Sequence, residues 1–260
     1  MGVRSIIDYL RIAWIGMNMA VALILLAPFD LFLSIVFRNR PPWFFAWIWS
    51  RWVFLMGGIR YRLEGEENLV LGEKYVFMSN HTHETDIALL FLALKRDIVF
   101  VSKGEFRKVP FAGWYAALKG HIFVDRSHPT SAQHTMITAA EKLKRRLRSV
   151  VIFPEGTYFK DRVIRPFMPG GAVLAVGTGM KVVPVAIHSM ANIDNLLIKG
   201  TWKNPLKVII GEPFSVEGKT YDDRYDVATK TRNAVLDLLS SDYSSTGTNG
   251  KNSHQERVEE

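Results

Sequence analysis

Short apolar runs that close on clusters of charged or hydrogen-bonding residues recur through this chain. They constrain its fold more than any other feature. Residues 74–79, Lys-Tyr-Val-Phe-Met-Ser, lead into Asn80-His81-Thr82-His83-Glu84-Thr85-Asp86. Gly120-His121-Ile122-Phe123-Val124 closes on Asp125-Arg126, and Val150-Val151-Ile152-Phe153 closes on Pro154-Glu155-Gly156-Thr157. Each run reads as a strand, and helical patterns lie between them. That alternation predicts an α/β domain with a central mixed, largely parallel sheet flanked by helices. The ends of such strands are where an α/β sheet exposes its site residues.

The spacing of His81 and Asp86 narrows the geometry further. On one continuous helix, residues five apart are turned by about 140°, and on one strand they point to opposite faces. They meet only if the backbone bends between them, with His81 in a loop and Asp86 in the first helical turn. A carboxylate in that position would fix the tautomer of the imidazole and favour its protonated form, as a general base requires. The plainer alternative is a surface histidine and a helix-capping aspartate that never touch.

Further segments stand in a fixed order with these: Ser102-Lys103-Gly104-Glu105-Phe106, Pro110-Phe111-Ala112-Gly113, and Val182-Val183-Pro184-Val185-Ala186-Ile187. Together the segments resemble the signature of the glycerolipid acyltransferases, the superfamily that includes the lysophosphatidic acid acyltransferases. Asn80, His81 and Asp86 match its first motif, and Gly120, Phe123 and Arg126 its second. Phe153 to Thr157 match the third, and the Val-Pro-Val run the fourth. The resemblance covers roughly residues 60 to 215. It implies a glycerol-3-phosphate acyltransferase-like catalytic domain behind an N-terminal helical membrane anchor. Two positions depart from the pattern. Tyr158 stands where many members carry Arg, and Phe167-Met168-Pro169-Gly170-Gly171 is apolar where many are basic. Both remove phosphate contacts that Lys160, Arg162 and Arg165 lie close enough in sequence to replace.

The implied reaction moves a fatty acyl group from an acyl thioester, acyl-CoA or acyl-ACP, to the free sn-2 hydroxyl of lysophosphatidic acid, with no cofactor. The alternative is a related acyltransferase acting on another lysophospholipid or a lyso-amino lipid. His81 would take the hydroxyl proton, with Asp86 orienting the ring as the acid does in a Ser-His-Asp triad. Backbone N–H groups around Glu155, Gly156 and Thr157 are candidate donors to the oxyanion. Arg126 is the leading candidate for the acceptor phosphate, because a guanidinium offers two parallel hydrogen bonds. The plainer role for Arg126 is an ion pair with Asp125 or Glu155. Glu155 would hold Arg126 or bind an acceptor hydroxyl, and Lys103 is a second phosphate candidate. Gly120 and Phe123 complete the expected substrate-binding set.

The 260 residues suffice for one α/β domain and an accessory element. Cysteine is absent, which excludes disulfides and a cysteine acyl-enzyme. The formal charge of +8 suits an anionic lipid surface or nucleic acid. No zinc-finger spacing, RNA-binding aromatic signature or helix-turn-helix cue supports the latter. Residues 12–37 favour the former, being apolar except for interruptions such as Pro28 and Asp30. Arg4 and Arg11 precede the run, and Arg38 and Arg40 follow it. This predicts two helical arms folded at Pro28 and dipping into one leaflet, at the cytoplasmic face of the inner membrane. A single tilted spanning helix is the alternative.

The expected organisation is an anchor with a Trp-rich interfacial segment over 1–57, a catalytic domain over 58–239 and a disordered tail over 240–260. Helices are expected over 86–95, over 129–147 with Thr130 as N-cap, and over 223–239. Strands are expected over 74–79, 98–101, 122–124, 150–153, 182–187 and 206–210. The basic end of the second helix (Lys142, Lys144, Arg145, Arg146, Arg148) compensates its dipole or meets anionic headgroups. Three rival readings have weaker footing. A metal hydrolase using His81, His83, Glu84 and Asp86 lacks a His-Glu-x-x-His pattern. A serine hydrolase lacks a Gly-x-Ser-x-Gly elbow. A non-catalytic lipid binder would not need His81 or Asp86.

Overall fold

The computed structural model describes residues 6–37, 43–146, 148–157, 163–188 and 205–245. Seven strands form one sheet: β1 (Tyr61–Glu64), β2 (Tyr75–Ser79), β3 (Ile98–Lys103), β4 (Ile122–Val124), β5 (Ser149–Ile152), β6 (Lys181–His188) and β7 (Leu206–Ile210). Their order is β1-β7-β6-β2-β5-β3-β4. Every pairing is parallel except that of β6 with β7. The central strand β2 is buried along its whole length, which explains its unbroken apolar sequence.

Helices cover both faces. On one lie α2 (Phe44–Gly57) and α3 (Thr85–Leu94), whose Val53, Phe54, Leu89, Leu90 and Leu92 share a core with Phe77, Phe100 and Val183. On the other lie α5 (Pro129–Arg146), α6 (Gly170–Thr178) and α7 (Arg224–Ser245), with Met136, Ala140, Leu174 and Val235 in a second core. A short helix, α4 (Ala112–Leu118), links β3 to β4.

The N-terminal run departs from expectation. α1 (Ile6–Val36) is one continuous helix that passes through Pro28. No fold-back occurs there, so the two-arm arrangement is overturned. Asp30, which argued for a break, is buried against the catalytic domain, and Lys119 Nζ lies 2.9 Å from its Oδ1. The Tyr115 hydroxyl also donates to Asp30, and Lys119 Nζ reaches Ser34 Oγ at 3.0 Å. The carboxylate is thus satisfied by α4 and needs no break in the helix. Residues Ala13–Val36 form a stretch long and apolar enough to cross a membrane, and its outward side chains make α1 a membrane-associating helix.

The Trp-rich segment serves two surfaces. α2 buries Val53 and Phe54 in the domain core, and Trp49 Nε1 donates to the Met19 carbonyl of α1 at 3.3 Å. Trp43, Phe44 and Trp52 stay exposed. Two local expectations also change. α5 starts at Pro129, so Thr130 lies inside the first turn and is not its cap; proline suits that first position because it needs no N–H partner. α7 runs on to Ser245, past the expected start of the tail at 240. Ser240 and Ser241 hydroxyls donate to the carbonyls of Asp237 and Leu238, both at 2.9 Å, and support that last stretch. The rest of the expected tail, residues 246–260, lies outside the described residues.

Candidate active site

The site lies at the carboxyl ends of β2, β5, β3 and β4, adjacent strands in the sheet. After Ser79 the chain leaves β2 for a five-residue loop and enters α3 at Thr85. Asn80 ends the strand cleanly. Its Nδ2 donates to the Ile187 carbonyl at 3.0 Å, and its Oδ1 accepts the Ile187 N–H at 2.8 Å. This buried amide copies a peptide unit and continues the β2–β6 pairing by one step. His81 is thereby delivered to a fixed place.

Asp86 sits in the first turn of α3 and His81 in the loop, as the spacing requires. His81 Nδ1 lies 2.9 Å from Asp86 Oδ2. The carboxylate, fully buried, also accepts from Thr82 N–H at 2.6 Å, His83 N–H at 2.9 Å and the Thr82 hydroxyl at 3.1 Å. It binds two amides of the loop ahead of the helix and holds the imidazole at once, so the aspartate does touch the histidine and the capping alternative falls away. With Nδ1–H given to Asp86, the lone pair of the neutral ring falls on Nε2. Phe153 stacks on the other side, its ring 4.0 Å from that of His81 and inclined by 12°.

The turn after β5 completes the frame. Glu155 Oε1 accepts the His81 N–H and Oε2 the Arg165 N–H, both at 3.0 Å. Burial pushes the Glu155 carboxyl above its ordinary value, and these two backbone donors oppose that shift. Glu155 therefore contacts the backbone at His81 and Arg165 and does not pair with Arg126. Gly156 has φ +82°, and an added Cβ there would lie 2.5 Å from Met168 Cε and 3.3 Å from Arg126 Nη1. Glycine is needed both for the backbone conformation and for that close approach. Its N–H donates to the Phe153 carbonyl at 3.1 Å, so this amide is committed to the turn and is not an oxyanion donor. Thr157 follows, half-buried.

Arg126 comes from the end of β4, across β3 from β5. Its Nη1 donates to the Gly156 carbonyl. Asp125 turns away: hydrogen bonds from the Ser127 side chain and backbone, then from His128, hold its carboxyl below the usual range. Neither ion pair envisaged from the sequence forms, and the half-buried guanidinium lies across the glycine turn. Lys103 ends β3 in register with Val124, exposed and near the same edge. Phe123 is half-buried within β4. Gly120 lies at the opposite end of that strand, where φ +80° lets the chain turn from α4, so the structure does not bring it to the site. Tyr158, Lys160 and Arg162 lie outside the described residues.

His83 Nδ1 accepts the Thr85 N–H at 3.2 Å, which uses it as a local cap. Among the described residues, no three His, Cys, Asp or Glu side chains converge as metal ligands. Asn80 and Phe153 are motif residues to which the sequence assigns no role. The structure shows one fixing the strand end and the other supporting the ring. An amide and an aromatic flanking the charged motif residues were the available signals.

Fold and site define an α/β protein with a hydrogen-bonded His–Asp pair at the carboxyl edge of a largely parallel sheet, beside a half-buried guanidinium. The family model described as Acyltransferase matches residues 60–188, and the chain belongs to the acyltransferase family. It is 32% identical over 227 residues to the 1-acyl-sn-glycerol-3-phosphate acyltransferase of Pseudomonas aeruginosa, covering 84% of this chain and 82% of that one. It is 29% identical over 238 residues to the yeast enzyme of the same name, covering 91% and 76%. The aligned stretches span from 49% to 82% of such curated relatives. The crystal structure of the 1-acyl-sn-glycerophosphate (LPA) acyltransferase PlsC from Thermotoga maritima superposes with a TM-score of 0.69 at 24% identity, covering 89% of this chain and 96% of that one. That likeness establishes the shared fold.

Proposed function

We propose that this protein transfers a fatty acyl group from an acyl thioester, acyl-CoA or acyl-ACP, to the sn-2 hydroxyl of lysophosphatidic acid. The product is phosphatidic acid, formed at the cytoplasmic face of the inner membrane. The observation that carries this reading is the 2.9 Å contact between His81 Nδ1 and Asp86. The names of the relatives support the choice of acceptor.

His81 Nε2 takes the proton of the acceptor hydroxyl as its oxygen attacks the thioester carbonyl. Asp86 stabilises the imidazolium that forms. The tetrahedral intermediate collapses with cleavage of the C–S bond, and the departing thiolate receives the proton from Nε2. No acyl-enzyme is needed, since the substrate hydroxyl stands where a catalytic serine otherwise would. Arg126 binds the acceptor phosphate beside the Gly156 turn, with Lys103 adding charge at the strand edge. Thr157 supplies a hydroxyl and an amide near the same turn.

The test incubates the purified protein with a mixture of lysolipids and labelled acyl thioester, with products identified by mass spectrometry. Acylation of lysophosphatidic acid is expected. His81→Ala should abolish turnover while fold and membrane binding persist, and near-normal turnover in that variant rejects His81 as the base.

A further inference from the structure

The connection from β3 to β4 carries an apolar surface that the packing of the domain does not use. α4 has three sides. Gly113 and Ala116 face inward and are buried. Tyr115 and Lys119, four apart, bond to Asp30 and Ser34 of α1. The third side presents Phe111, Trp114 and Leu118, spaced by three and four residues and 67%, 52% and 70% exposed. Phe106 and Val109, from the preceding turn, are exposed as well.

Two details show that this side is held out and not merely frayed. Gly113 sits so tightly on the preceding turn that an added Cβ would lie 2.1 Å from the Phe106 carbonyl oxygen. Phe111 has φ +60°, a conformation that bulky residues rarely adopt, while its ring lies outward 5.7 Å from that of Trp114. An aromatic kept in an unfavourable backbone state and left in water is not explained by folding.

We propose that this face of α4 and its preceding turn is a second lipid-contacting surface, seated in the headgroup boundary of a bilayer beside α1. Continuity supports it, because α4 is bonded to α1 at Asp30 and Ser34, and the neighbouring Phe29 and Phe32 of α1 are exposed. Charge supports it too. Lys103, Arg107 and Lys108 are exposed around the turn, with Glu105 the one acid among residues 103–108. Aromatic side chains bordered by lysine and arginine suit an anionic lipid interface. The surface also adjoins the site, since Glu105 lies close enough to Arg126 to act on its charge. The proposal rests on the membrane association of α1 and is separable from the reaction.

The absence of cysteine makes the test direct. Single variants Phe111→Cys and Leu118→Cys of the full chain carry a polarity-sensitive fluorophore and are reconstituted into phosphatidylcholine–phosphatidylglycerol vesicles with spin-labelled acyl chains. Leu71→Cys, at a 97% exposed position ahead of β2, is the control. Labels at 111 and 118 should shift to the blue and be quenched several-fold more strongly than the label at 71. Equal, water-like emission at all three positions overturns the proposal. So does a blue shift that appears in detergent and grows with protein concentration, which assigns the face to contact between copies of the chain. Acyl transfer, measured on the same vesicles, decides the reaction independently of the quenching.

Discussion

At the scale of single residues, the site rests on how many donors each acid satisfies. Asp86 accepts from one imidazole, one hydroxyl and two amides, all within 3.1 Å. Asp86→Asn keeps the size but loses the charge that stabilises the imidazolium, so kcat should fall by roughly 10²–10⁴-fold, read in a steady-state assay. Arg126→Gln should act on the other substrate. Loss of a charge-assisted phosphate contact should raise the acceptor KM by about tenfold to a hundredfold, with little change in the KM for the thioester. Glu155 gives a pH signature. Its folded pKa lies above the unfolded value of 4.5, so folding favours the protonated form. Whatever stability it contributes is fully present below the unfolded pKa and is lost as pH rises through the folded one. Denaturation of wild type and Glu155→Gln should therefore show the difference moving against wild type as pH rises above 4.5. The His–Asp pairing was legible because a five-residue separation permits few geometries. The role of Glu155 was not, because its partners are backbone amides from two distant segments that no side-chain pattern announces.

At the scale of elements, apolar runs were readable even when short, as at β4, and elements of mixed or small-residue sequence were not. Strands β2, β5, β6 and β7 are largely apolar and stand out. β1 escaped notice because it is a four-residue edge strand of alternating exposure, Tyr-Arg-Leu-Glu. α4, at seven residues, is too short to show a helical period, and α6 begins with two glycines, which are poor helix formers. α6 needs those small residues: a Cβ on Gly171 would lie 2.9 Å from the side chains of Ile152 and Met78. His121, at the head of β4, belongs to this scale as well. It stacks on Phe100 at 5.8 Å, its Nδ1 accepts the Phe100 N–H at 3.2 Å, and burial pulls its pKa down to about 3. The ring is held neutral, so its contribution is present above the unfolded value of 6.5 and is lost as pH falls toward about 3. Replacement by Asn should flatten the loss of stability over that window, followed by chemical denaturation in detergent.

At the scale of the whole molecule, α1 and the catalytic domain meet at a buried ion pair between Asp30 and Lys119. The sequence offered Asp30 as an interruption, because its partner lies 89 residues away and sequence spacing says nothing about that contact. Asp30→Ala strands Lys119 beside Ser34 and should cost about 3–5 kcal/mol, measured as a fall in Tm. The double variant Asp30→Leu with Lys119→Met should recover most of that loss, since an apolar pair of similar volume removes the unpaired charge. The His–Asp pair belongs to the loop after β2 and to α3, the Glu155 carboxylate to the turn after β5, and the guanidinium to the end of β4. If Arg126 takes the acceptor phosphate as proposed, a lineage or a designer can rewrite the β4 end to admit a new headgroup and leave the His81–Asp86 pair untouched, as a lathe takes a different chuck.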